Sequence, residues 1–256
     1  MVGAASLLQA AHDSSSPGRN DPPSPLPTVR TARNSNPSPG GMTSSAHAKL
    51  AAIRLSTLAA GALATLAKEN VVNQIIVNEE GGIPHLVELL KGAESTHKHA
   101  HESATRALGY LGVEEYNRSA IARAGGIGPL VTLLNSESET TQKFTAATLE
   151  LLACHPSNQI ALAKAGAIAP LVNLLSSTES TSQHAIGALL YLASHDEMSR
   201  NAVVQRLVAV LGQRNASAQM KSAEALAVLA MRSPENRKAI TAANAICHVP
   251  DLISLI

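Results

Sequence analysis

Apolar residues recur along this chain at steps of three and four, and polar or glycine-containing breaks divide them into trios. The pattern is sharpest over residues 114–154. Ala120, Ile121 and Ala124 form a short stripe, Leu130, Val131, Leu133 and Leu134 a second, and Ala146, Ala147, Leu149, Leu151 and Leu152 a third. Such spacing gathers apolar side chains on one face of an α-helix. Gly125-Gly126 separates the first two stripes, and a glycine pair permits a sharp turn. Pro129 falls in the opening turn of the next helix, where no hydrogen-bonded N–H is lost. A polar run from Asn135 to Thr141 precedes the third stripe. The predicted unit is short helix, tight turn, helix, loop, longer helix.

The unit repeats. Its second-helix motif reads Ile83 to Leu90, Ile127 to Leu134 and Ile168 to Leu175, with a weaker copy at Leu207 to Leu211 and another at Val249 to Ile256. The last apolar residues of these copies lie at 90, 134, 175, 211 and 256, giving steps of 44, 41, 36 and 45 residues. Asn73, Asn117, Asn158 and Asn236 open the clear copies, where an Asn side chain is expected to cap a helix start. The predicted organisation is a Pro/Ser-rich disordered tail over 1–45, a capping helix over 46–69, and repeats over 70–113, 114–155 and 156–195. A degenerate repeat over 196–232 and a truncated one over 233–256 follow. From Asn201 to Leu207 no glycine appears, so one continuous or mildly kinked helix is expected over 199–212 in place of two.

A 40–47-residue period with three helices per unit, together with the motifs Gly-Gly-Ile-x-x-Leu-Val-x-Leu-Leu and Ala-Ala-x-x-Leu-x-x-Leu-Ala, resembles the armadillo repeat family over roughly 46–256. The local likeness is to vacuolar armadillo adaptors and to the arrays of plant-type U-box proteins. The resemblance implies an all-α, right-handed solenoid whose third helices line a concave groove for partner proteins. It also implies no catalysis and no cofactor. Importin-type arrays carry a Trp and an Asn four residues apart on each third helix, and the Asn ladder holds an extended peptide. Here the Trp position holds Gly61, Arg106, Ala147, Gly187 and Glu224, and the Asn position holds Thr65, Tyr110, Leu151, Tyr191 and Val228. Both ladders are absent, which argues against a basic extended ligand. The groove candidates are Arg106, Tyr110, Lys143, Leu151, Gln183, Tyr191 and Glu224, since tyrosine and arginine make good interface anchors.

Composition narrows the partner class. The chain has 20 basic and 19 acidic residues, formal net charge +1, so no field steers it toward nucleic acid. Cys154 and Cys247 cannot form a disulfide framework and fit a reducing compartment, so the expected location is cytoplasmic, with the nucleus as an alternative. No apolar run reaches the roughly 18 residues of a membrane span, and Val2 stands where a myristoylated glycine would be.

Other candidate chemistry is weaker. Seven of the 13 prolines lie between Pro17 and Pro39, where Pro22 to Pro27 fits a polyproline ligand and Ser16, Ser24 and Ser38 precede prolines. A solvated linker is the preferred reading of that segment. His97, His99 and His101 invite a metal, but alternate residues of a helix do not share a face, so no metal site is expected. Cys154-His155 lacks a third orienting group. Glu79-Glu80 and Glu114-Glu115 are expected at helix starts, complementing the dipole. Leu252, Ile253, Leu255 and Ile256 lack a third helix to cover them. The chain is therefore expected to be a piece of a longer array or to self-associate through that end. The function expected is a scaffold binding a peptide or helix in its groove. The alternatives are the substrate-recognition array of a ubiquitin-ligase system and a membrane-trafficking adaptor.

Overall fold

The computed structural model describes residues 44–92 and 94–244. The proline-rich segment with its three serines, Cys247, and Leu252 to Ile256 lie outside the described residues. Thirteen α-helices are described: α1 (Ser44–Ala67), α2 (Val71–Glu79), α3 (Gly82–Leu89), α4 (Glu94–Leu111), α5 (Glu115–Arg123), α6 (Ile127–Leu133), α7 (Glu139–Ala153), α8 (Pro156–Lys164), α9 (Ile168–Asn173), α10 (Glu179–His195), α11 (Glu197–Leu211), α12 (Ala216–Arg232) and α13 (Pro234–Ala242). A short 3-10 turn, Leu174–Ser176, prolongs α9. The fold is an armadillo-type right-handed α-solenoid, all-α among the described residues. Its longer helices α1, α4, α7 and α10 pack side by side, and α12 lies next to α10.

Each corner between a first and a second helix is made by a glycine. Gly125 has φ 78°, and Gly81 and Gly166 take the same left-handed conformation, which a Cβ disfavours. Residues 197–211 contain no such glycine and run as a single helix, α11. One core joins the layers, with Ile83, Leu86, Leu108, Leu130, Leu149, Leu162, Leu171 and Leu175 among its fully buried side chains.

Three expectations are corrected. The four asparagines do not cap by accepting. Asn70, Asp196 and Ser233 accept the capping N–H bonds of α2, α11 and α13. The repeated asparagine sits three residues further on, and its amide donates backwards to the end of the preceding long helix. Asn73 donates to the Leu66 carbonyl at 2.7 Å, Asn117 to Leu111 at 3.0 Å, Asn158 to Leu152 at 3.0 Å and Asn236 to Leu229 at 2.8 Å. The last carbonyls of a helix lack the usual partner within it, and these bonds supply one; the Leu111 and Leu152 carbonyls also accept the backbone N–H of Glu114 and His155, each at 3.2 Å. Second, Glu79 ends α2 and Glu80 follows it, because the left-handed turn comes at Gly81. Glu114 and Glu115 do open α5. Third, α1 over Ser45–Ala67 is long and apolar enough, by length and composition, to cross a membrane. Its only charges are Lys49 and Arg54, and one of its faces packs along α4.

Candidate functional site

All seven groove candidates lie on third helices and outside the core. Arg106 and Tyr110 are on α4, Lys143 and Leu151 on α7, Gln183 and Tyr191 on α10, and Glu224 on α12. Lys143, Gln183 and Glu224 are exposed, while Arg106, Tyr110, Leu151 and Tyr191 are half-buried. On the same helices Ala107-Leu108, Leu149, Ala188-Leu189 and Ala225-Leu226 are buried. The helical period that turns these inward turns the candidates outward.

Each junction between third helices is closed by different chemistry. Between α4 and α7, the Tyr110 ring meets Phe144 edge-on, with centroids 5.9 Å apart and planes at 72°, a favoured aromatic geometry. Ser138, the N-cap of α7, also donates to the Glu102 carboxylate at 2.6 Å. Between α7 and α10, Glu150 and His184 lie 2.8 Å apart. A Cβ on Gly187 would collide with the Glu150 carboxylate, so glycine at that position lets the carboxylate cross. A hydrogen bond with the Cys154 thiol holds the Tyr191 hydroxyl above its ordinary pKa. The Cys154 charge, burial and Glu150 add to this, and Arg232 opposes it. Between α10 and α12, Lys221 donates to Glu179 at 2.6 Å and to Glu224 at 3.4 Å, and Gln183 donates to Glu179 at 2.8 Å. The bonds from Lys221, then Gln183, lower the Glu179 pKa, and the bond to Glu179 raises that of Lys221.

The structure therefore links Gln183 and Glu224 through Glu179 and Lys221. Among the described residues, Arg106 and Lys143 have no carboxylate within ion-pair distance. Phe144, Glu150, His184 and Lys221 were not anticipated, because each acts across a junction between repeats. Two signals were available in the sequence. Phe144 is the only phenylalanine, and a glycine at 187, inside an apolar helix, marks a close approach.

The histidines and the cysteine do not converge. His97, His99 and His101 all lie on α4. The rings of His97 and His101 stack at 6.1 Å, whereas His99 faces Glu102 at 3.7 Å. Among the described residues no group of three or more His, Cys, Asp or Glu could hold a metal ion. His155 bonds Ser157 at 2.8 Å, while the Cys154 thiol donates to the Glu150 carbonyl at 3.6 Å.

Residues 70–113 and 115–153, the segments holding α2 to α4 and α5 to α7, match the family model Armadillo/beta-catenin-like repeat. Those two segments are armadillo repeats, and the described residues as a whole share the armadillo solenoid fold. Among solved structures, it is similar to an engineered protein at 29% identity, covering 78% of this chain and 83% of that one with a TM-score of 0.62. A designed armadillo repeat protein in complex with the peptide (KR)4 is 22% identical, covering 80% and 91%, with a TM-score of 0.62. The armadillo repeats only protein of Plasmodium falciparum is 23% identical, covering 67% and 78%, with a TM-score of 0.56. The last two likenesses are of fold. No curated protein matches the chain.

Proposed function

We propose that this armadillo array is a protein-interaction scaffold without chemistry of its own, holding a partner segment across α4, α7 and α10. One observation carries the reading. At the equivalent position of three successive third helices stand Tyr110, Leu151 and Tyr191, each half-buried, with Arg106 and Lys143 beside them. Half-buried rings with polar tips are favoured anchors, and stacked helices hold them rigidly, which lowers the ordering cost of binding. The partner is a helix or an apolar segment. An extended Lys/Arg peptide such as the one in complex with the designed protein is disfavoured, because the Trp and Asn ladders of importin-type arrays are replaced here by other residues.

The test is capture of partners by residues 46–256, by pull-down or proximity labelling, comparing wild type with the triple variant Arg106→Ala, Tyr110→Ala and Tyr191→Ala. Captured partners should be lost while the helical circular dichroism is kept. Unchanged capture, or a variant that unfolds because these side chains hold the helices together, overturns the assignment.

A further inference from the structure

The groove is two-sided. At the register of Tyr110, Leu151 and Tyr191 the next third helix, α12, carries Val228, which is also half-buried. Together they form an apolar strip across α4, α7, α10 and α12. Four or eight residues earlier on the same helices stand Arg106, Lys143, Gln183 and Glu224. That spacing keeps them on the outward face, so a polar row runs beside the strip. A segment lying across the third helices meets apolar side chains along one flank and polar ones along the other.

The polar row is not uniform. At its α10–α12 end the charges are matched within the chain. Lys221 donates to Glu179 and Glu224, and Gln183 donates to Glu179. At its α4–α7 end the carboxylates are engaged and the cations are not. Glu102 accepts from the Ser138 hydroxyl at 2.6 Å and lies 3.7 Å from His99, and Glu150 lies 2.8 Å from His184. Glu139 stands in the first turn of α7, where a negative charge complements the helix dipole. Arg106 and Lys143 have no carboxylate within ion-pair distance among the described residues. A guanidinium offers paired donors that match a carboxylate, and an ammonium on a flexible stem adapts to one.

We propose, resting on the scaffold role above, that the groove's partner is an acidic amphipathic segment of another protein. Its apolar side chains lie on the strip of Tyr110, Leu151 and Tyr191, and its carboxylates lie over Arg106 and Lys143. Over α10 and α12 it needs no charge, because Lys221 is already paired there. Opposed charges of this kind fix the register of a segment on its groove and make its binding salt-dependent. The strip supplies the apolar area, and the two cations decide which way round the segment lies.

Selection of short random peptides from a display library on the full 256-residue chain tests this. Peptides that bind wild type but not the Arg106→Ala/Tyr110→Ala/Tyr191→Ala variant should be rich in Asp and Glu as well as in apolar residues. Their affinity should fall about tenfold in the charge-reversed variant Arg106→Glu/Lys143→Glu and weaken with added salt. Replacing the acidic residues of a selected peptide with lysine should restore binding to that variant. A photo-crosslinker beside those acidic residues should label α4 or α7. If circular dichroism shows the charge-reversed variant unfolded, Arg106→Gln/Lys143→Gln takes its place and should lose the preference for acidic peptides. Groove-binding peptides without acidic residues overturn the proposal and leave the scaffold role standing. So does equal binding to wild type and the folded charge variant, or a crosslink to α10 or α12. If no peptide tells wild type from the triple variant, the groove is not a binding surface and both readings fall.

Discussion

Residues 156–176 and 197–211 supply the same cover to the third helices with different backbones. In the first segment α8 and the helix after it meet at 88°, turning at Gly166 with φ 77°. In the second α11 runs without a corner. Both bury an apolar row completely or nearly so: Leu162, Leu171 and Leu175 in one, Val203, Leu207 and Leu211 in the other. The apolar spacing decides which side chains enter the core. One residue able to adopt a positive φ decides whether the chain turns on the way. A repeat can therefore lose its corner, shortening to a 36-residue step, and remain part of the solenoid.

The strongest test of that equivalence is in the core. Leu171 and Leu207 are both fully buried. Replacing either with alanine removes buried methyl groups and leaves a cavity, so each variant should lose about 2–5 kcal/mol in denaturant unfolding. If the straight segment were a loosely held spacer, Leu207→Ala would cost far less than Leu171→Ala, and the comparison would fail.

A smaller difference is expected where the two segments begin. Asn158 donates to the Leu152 carbonyl at the end of α7, and Asn158→Ala removes that buried bond and leaves the carbonyl only the His155 N–H at 3.2 Å, a loss of about 1–1.5 kcal/mol. Ser199 takes the corresponding place in α11. Its hydroxyl donates to Asp196, but its backbone N–H also bonds Asp196, at 2.7 Å. That second bond survives Ser199→Ala, which should cost less than about 1 kcal/mol. Equal losses at the two sites would mean that the asparagine clamp contributes nothing particular to the cornered repeat.

The corner itself is worth a similar amount. Gly166→Ala forces a Cβ into a left-handed conformation and should cost roughly 1–2 kcal/mol. Gly212, which ends α11, has φ −83°, and Gly212→Ala should change stability by no more than about 0.5 kcal/mol. Urea titrations of the two variants distinguish these outcomes.

Much of this architecture was legible before any coordinates. The glycine pairs marked the corners at 81 and 125, and their absence after Asn201 marked α11, because both features are local. The inward and outward faces of the third helices followed from the helical period. What could not be read was anything depending on two repeats at once. The asparagines look like caps in sequence because they stand at helix openings, but their partners are carbonyls of the previous helix, six or seven residues back. Tyr110 could be placed on a face, yet Phe144, whose ring meets it edge-on, comes from a neighbouring helix whose register no single-helix pattern specifies. Gly187 similarly makes sense only once Glu150 is seen crossing it.

The least of the expected effects distinguishes the two segments by pH. His155 precedes α8 without a capping bond from its side chain, and Pro156 removes one of the donors that would need a cap. Asp196 caps α11. The backbone N–H of Ser199 favours its carboxylate and is the main reason its pKa is lowered, with burial opposing, and the Ser199 hydroxyl and His195 adding smaller pulls. A lowered folded-state pKa means that this stabilisation is complete above the unfolded value of about 3.9. It fades as pH falls through the folded value below it. The side chain is 42% exposed, so solvent screening keeps the effect small, at most the roughly 1 kcal/mol typical of an N-cap. Unfolding free energies of wild type and Asp196→Asn should therefore differ near neutral pH and converge in acid. A gap that persists unchanged to the lowest pH at which the protein folds would mean that Asp196 acts by shape and hydrogen bonding alone, with no contribution from its charge.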